Sequence, residues 1–121
     1  MSSRNSTKES KLQQDRESAK HGDFFFAKYY NNSGQSKSAP VLVVGNDGDK
    51  DDVIICTCTS QASRGEWDKL VQLRKPTYVR TNKIYTIRRN QLLFKINYDL
   101  VNGLPSKYKE IMDSIKKALN L

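Results

Sequence analysis

Between residues 22 and 87 the sequence repeats one arrangement: a short apolar run, then a cluster of turn-forming residues. The runs cover 23–30, 40–45, 53–59, 69–73 and 78–87. They are separated by Asn31-Asn32-Ser33-Gly34, by Gly45-Asn46-Asp47-Gly48 and by the segment around Gly65 and Pro76. Glycine, asparagine and aspartate tolerate the backbone angles of tight turns, so such clusters end one strand and start the next. Five short strands at this spacing predict a small closed or nearly closed β-barrel. A chain of 121 residues has room for one such core.

After residue 103 the period changes. In "LPSKYKEIMDSIKKALNL" the residues Tyr108, Ile111, Met112, Ile115 and Leu119 recur at helical spacing, with Ser106 as N-cap. This predicts an amphipathic C-terminal helix that buries Ile111, Met112 and Ile115 against the barrel. The expected fold class is therefore mainly β with α.

The beginning of the chain reads differently. Apart from Met1, residues 1–21 offer only Leu12 and Ala19 as apolar side chains. Such a segment buries too little surface to offset its ordering entropy, so a polar, flexible tail is expected over 1–21 and the barrel domain over 22–121. Ser6-Thr7-Lys8-Glu9 matches a helix capping box within that tail. No apolar run approaches the roughly 20 residues of a membrane span, and the polar start lacks a signal peptide's apolar core. The expectation is a cytoplasmic protein with no membrane association.

Charge narrows the partners. Lys and Arg number 21 against 13 Asp and Glu, a formal net charge of +8. Most of the excess falls within 22–121, where it favours a polyanion such as nucleic acid, an acidic protein or a membrane surface, or serves solubility alone.

Cys56 and Cys58 flank Thr57 in a predicted strand, where residues two apart share a face. A structural zinc site needs four ligands, and the one histidine, His21, has no second cysteine pair to join. A disulfide between such close neighbours is strained, so buried reduced thiols are expected and no metal or other cofactor. His21 stands alone between tail and first strand and is read as a surface residue.

The pieces "HGDFFFAKY", "APVLVVGND", "VIICTCTSQ" and "YVRTNKIYTIRRNQL", in this order and spacing, together with the closing helix, resemble the MazF/PemK family of toxin endoribonucleases. The resemblance covers 22–121. It implies an SH3-like barrel that forms a homodimer, binds single-stranded RNA across the dimer and cuts it without a metal. It also implies an acidic antitoxin protein as partner, and a loop between the first two strands that overhangs the RNA.

The family's site maps onto this chain residue by residue. Its strand-three threonine falls at Thr59, a loop glutamine at Gln35 and a loop glutamate at Gly34. The arginine that precedes the strand-two proline is here Ala39, and Lys37 is the nearest cation. RNA cleavage by the 2′-hydroxyl needs proton transfer and positive charge on the developing phosphorane, and Ala39 supplies neither. Three origins stay open: divergence into an RNA binder, Lys37 in the missing role, or a deliberate Arg-to-Ala change that permits expression of a self-toxic nuclease. Ser60, Gln61, Arg64, Arg80 and Lys83 are the candidate RNA contacts, and Tyr29 and Trp67 the candidate stacking surfaces.

Two other classes compete. A noncatalytic RNA-binding SH3-like module has the same fold requirements. A DNA-binding regulator lacks support, because no helix-turn-helix pattern is present.

Overall fold

The computed structural model describes residues 3–121, with side chains described from Glu9 onward. In chain order the elements are α1 (Ser3–Ser18), β1 (Phe24–Tyr30), β2 (Ser36–Gly45), β3 (Asp52–Thr59), β4 (Asp68–Gln72) and β5 (Pro76–Arg88). A 3-10 turn (Arg89–Gln91), β6 (Leu92–Ile96), α2 (Leu100–Gly103) and α3 (Pro105–Ala118) follow. The six strands form one antiparallel sheet in the order β4-β5-β3-β2-β1-β6, which curls into an open, SH3-like barrel.

Strands buried on both faces explain the near-continuous apolar runs. Phe24 and Phe25 are adjacent, point to opposite faces, and are both fully buried. Phe25, Val41, Val43, Val53, Ile55 and Leu92 fill one side of the sheet. On the other side Phe24, Leu42, Cys56 and Val79 pack against Leu100 of α2 and Ile111 and Ile115 of α3. The C-terminal helix thus buries the predicted face, with Met112 half-buried at its margin. Its N-cap is Leu104 rather than Ser106, and Pro105 takes the first position, where its missing N–H costs nothing.

Three sequence expectations differ from the structure. The sheet has six strands, not five, because β6 follows β5 after only the turn Arg89–Gln91, with no glycine or proline to mark where one strand ends and the next begins. Residues 36–39 are not a loop: β2 begins at Ser36 and pairs with β1 out to Ser36↔Tyr30. Where a tail is expected over 1–21 stands α1, and the capping-box residues 6–9 lie inside this helix, most of their side chains outside the described set.

The helix lacks an apolar stripe because main-chain hydrogen bonds attach it. Arg16 donates to the carbonyls of Leu92 (2.7 Å) and Asn90 (3.1 Å). In return the guanidinium of Arg89, 4% exposed, donates to Arg16 and Ala19 at the end of α1, at 2.8 and 2.9 Å. Its other nitrogens reach the carbonyls of Asp49 (2.7 Å), Asn46 (3.1 Å) and Asp47 (3.2 Å) in the β2–β3 turn. A buried cation is stable here because every N–H it carries can find an oxygen, without any carboxylate. At the next step of the chain Gly22 has φ +95, and any side chain there collides with Val101. His21 is half-exposed, as expected of a surface residue, and its Nδ1 lies 2.6 Å from Asp47 Oδ2. Burial works to raise the Asp47 pKa, but hydrogen bonds from the His21 ring and backbone outweigh it and hold the carboxyl below its usual range.

Replacing Arg89 with Met keeps much of the side-chain volume and leaves those carbonyls unmatched. Urea denaturation should show a loss of about 3 kcal/mol or more, the scale of a broken buried network, and limited proteolysis should cut first within α1.

Cys56 and Cys58 are both buried and unbonded. Burial pushes the Cys56 thiol up to about 12, and burial, then the neighbouring Cys56, raises Cys58 as well. The folded protein should therefore react with a thiol reagent at neutral pH many times more slowly than the urea-unfolded chain, which should titrate two thiols.

Candidate nucleic-acid interface

A change of partner along β2 creates the site. Val41 and Leu42 pair with both β1 and β3, but residues 36–40 pair with β1 alone. Beyond Thr57, β3 leaves β2 and keeps only its pairing with β5, through Cys58↔Val79 and Thr59↔Tyr78. The strands splay, and a cleft of about 570 Å³ opens beside the free edge of β2.

The ladder sets which backbone groups face that cleft. Val43 turns both its N–H and its C=O toward the β1 side, through Asp23 and Gly22 at 2.8 Å each. The β1–β2 register is unbroken to Ser36, so alternation aims the N–H and C=O of Ser38 and the C=O of Pro40 into the cleft. Pro40 loses no ladder bond there, because its missing N–H lies on the open side.

Above this edge stand side chains from four strands. Lys37 is two residues from Ala39, and so on the same face of β2, opposite Tyr29 in the ladder. Expected as a substitute on a loop, it is held on a strand. Ala39 lines the cleft and packs on the core with no donor to offer. Thr59 accepts the N–H of Gln61 at 3.2 Å, which leaves its hydroxyl proton for a ligand. Gln61 in turn accepts from Arg64 Nη2 at 2.6 Å.

Arg80 enters through a corner in β5. Two steps along β3, from Cys56 to Cys58, oppose five along β5, from Ile84 to Val79, so residues 80–83 bulge out of that ladder. Buried Thr81 pins the corner: its N–H and hydroxyl meet the Trp67 carbonyl at 3.0 and 2.7 Å, and its Oγ1 lies 2.6 Å from Ser114 Oγ of α3. Asp68, its carboxylate nearly buried, lies 3.9 Å from Arg80 Nε and accepts the Arg64 N–H at 3.0 Å. One carboxylate behind the cleft thus braces both arginines.

The cleft gathers Lys37, Ala39, Thr59, Ser60, Gln61, Arg64 and Arg80. Lys83 lines an adjoining depression that shares Tyr29, Lys37 and Arg80 with it. Gln35 is not brought in: it closes the β1–β2 turn against Asn31. Trp67 also lies elsewhere, beneath Lys117 at 5.7 Å, in a cavity against α3. The Tyr29 ring is buried and offers no face for a base; the exposed aromatics are Tyr30 and Phe94, the latter stacked on Phe26 at 5.2 Å. Lys75, Thr77 and the bracing Asp68 were missed, and only the fold reveals them.

Charge separates this cleft from the rest of the surface. Lys37, Arg64, Lys75, Arg80 and Lys83 line the two depressions, and no carboxylate does. In the cavity against α3, by contrast, Lys69, Lys109 and Lys117 are balanced by Glu66, Glu110 and Asp113. Among the described residues no three His, Cys, Asp or Glu side chains converge as a metal site, and no helix is long and apolar enough to cross a membrane.

No protein-family model matches the sequence, and no curated protein sequence matches it. Solved structures do. MazF from Deinococcus radiodurans is similar over 85% of this chain and 97% of its own, with 14% identity and a TM-score of 0.70. The Mycobacterium tuberculosis toxin MazF-mt6 aligns over 82% of this chain and 97% of its own, with 20% identity and a TM-score of 0.63. An endoribonuclease in complex with its cognate antitoxin, from a mycobacterial species, covers 85% and 96%, with 18% identity and a TM-score of 0.65. The resemblance carried by the sequence motifs extends to the architecture: this chain has the fold of the MazF structures.

Proposed function

We propose that the protein is the toxin of a type II toxin-antitoxin pair, a metal-independent endoribonuclease that acts on single-stranded mRNA in the cytoplasm. One observation carries this reading: every charged side chain lining the cleft beside β2 is a cation, and Thr59 keeps its hydroxyl proton for a ligand. A single-sign, water-accessible groove attracts a phosphodiester chain. The MazF fold, shared with the solved structures of a toxin and an endoribonuclease, suggests the reaction class. The relative with its cognate antitoxin suggests the partner, an acidic protein that competes for the same cations. A homodimer is the assembly that this reading entails.

In such a cleavage the RNA's 2′-hydroxyl loses its proton and attacks the adjacent phosphorus, the P–O5′ bond breaks, the 5′-oxygen takes up a proton and leaves as a hydroxyl, and a 2′,3′-cyclic phosphate remains. Thr59 and the cations stabilise the charge that develops on the phosphorane. Ala39 leaves one place in this set empty, and Lys37, on the same face of β2, covers it with a point charge rather than a planar fork. Ala39 also favours the second reading, a noncatalytic RNA-binding module of SH3-like fold.

Ala39→Arg separates the two. A donor fork beside Thr59 should raise cleavage of single-stranded RNA by about a hundredfold or more while affinity changes little. The products should carry 2′,3′-cyclic or 3′-phosphate ends, and chelators should have no effect. Growth arrest on expression of this variant should be relieved by Thr59→Val. A variant that binds RNA and leaves it uncut makes the protein a binding module.

Affinity for single strands should also fall steeply with salt. Arg80→Ala should reduce the slope of log affinity against log salt by about 0.7 to 1, the value of one phosphate contact. An unchanged slope removes Arg80 from the interface.

A further inference from the structure

Tyr29 stands where the two basic depressions meet, and it lines both. Its ring belongs to the core of the barrel: the residue is 6% exposed, and Tyr85 lies against it with ring centroids 6.0 Å apart. Packing accounts for the ring but not for the hydroxyl, since phenylalanine would fill the same space. Buried tyrosines ordinarily give the hydroxyl a partner. This one has no hydrogen-bond partner among the described residues. Yet no described side-chain oxygen or nitrogen is both sealed from solvent and unpartnered. The small exposed part of Tyr29 therefore includes its hydroxyl, which opens onto the floor of the cleft.

The neighbours specify what the hydroxyl awaits. Lys37 is its direct partner across the β1–β2 ladder and projects from the same face. Arg80 comes from the corner of β5 and lines both depressions with it. Burial, reinforced by Cys58 and Tyr85, raises the Tyr29 pKa, and the Arg80 cation opposes this only in part, so the group stays a proton-bearing donor at neutral pH. A fixed neutral donor between two cations, with no hydrogen bond to an acceptor among the described residues, suits an anion with several oxygens.

We propose that the Tyr29 hydroxyl donates a hydrogen bond to a non-bridging oxygen of an RNA phosphate held between Lys37 and Arg80, and so sets the register of the strand across the two depressions. This rests on the reading of the cleft as a single-stranded RNA site, and it goes beyond that reading by assigning a fixed contact point. Long lysines and arginines attract a phosphate without placing it, whereas a hydroxyl on a core-packed ring holds one position. Tyr29 donates only and exchanges no proton with the RNA.

Tyr29→Phe removes the oxygen and keeps the ring. Its melting temperature should match that of the parent protein, which separates contact from folding. Anisotropy with a short, fully 2′-O-methylated single-stranded RNA, which cannot be cut, should show about a tenfold loss of affinity, the scale of one hydrogen bond to a charged group. In an Arg80→Ala background the same change should cost clearly less, because the phosphate is then no longer held beside the ring. Unchanged affinity at unchanged melting temperature overturns the proposal. So does a loss seen with polyglutamate but not with RNA, which assigns the hydroxyl to an acidic peptide. Cleavage is scored separately in Ala39→Arg and in Ala39→Arg with Tyr29→Phe. RNA that binds through Tyr29 but is never cut refutes the nuclease and leaves the contact standing. Cutting and binding that ignore Tyr29→Phe refute the contact and leave the nuclease.

Discussion

Arg89 holds together the parts of this protein that its apolar core does not reach. Taking a guanidinium out of water is costly, and the cost is offset here by carbonyl oxygens from two separate segments, the end of α1 and the β2–β3 turn. Neither of these segments has enough apolar surface to order itself. Arg89 follows directly after β5, so the cation is delivered by the longest strand of the sheet. Arg16 returns the interaction to Leu92 and Asn90, and helix and barrel are latched in both directions.

The cleft arises from the opposite situation, a place where the sheet stops satisfying itself. β2 outruns its pairing with β3 by five residues, 36–40, and β3 continues paired with β5 alone. The opening exposes main-chain groups of Ser38 and Pro40 and is ringed by side chains whose positions depend on the β5 corner. That corner depends in turn on Thr81, which ties it to Trp67 and to Ser114 of α3. The C-terminal helix therefore bears on the cleft without touching a ligand, because it helps decide where Arg80 leaves the strand.

Much of this was legible in the sequence, for identifiable reasons. β1, β2 and β3 could be read because they are buried on both faces and their apolar runs are hardly interrupted. α3 could be read because Ile111 and Ile115 obey one period against one surface. β6 escaped because Arg89–Gln91 breaks β5 from β6 without glycine or proline, and α1 because hydrogen bonds to carbonyls leave no imprint on side-chain pattern. At the site, Thr59, Lys37 and Arg80 could be named from motif order. Asp68 and Lys75 could not, since what brings them to the cleft is the register of β4 with β5 and the turn between them. Gln35 was expected at the site and instead serves its own turn.

Pro40 carries a consequence for association. An open strand edge ordinarily recruits another strand, and a basic cleft beside one risks being sealed by a neighbouring molecule before it meets its ligand. With Pro40 at the mouth, a docking strand finds a carbonyl but no N–H at that point, so a new ladder growing along the free edge from Ser36 is interrupted just before β3 takes over. The residue that begins the apolar run of β2 thereby also hinders a foreign strand from adding along the edge of the cleft, at no cost to the sheet behind it.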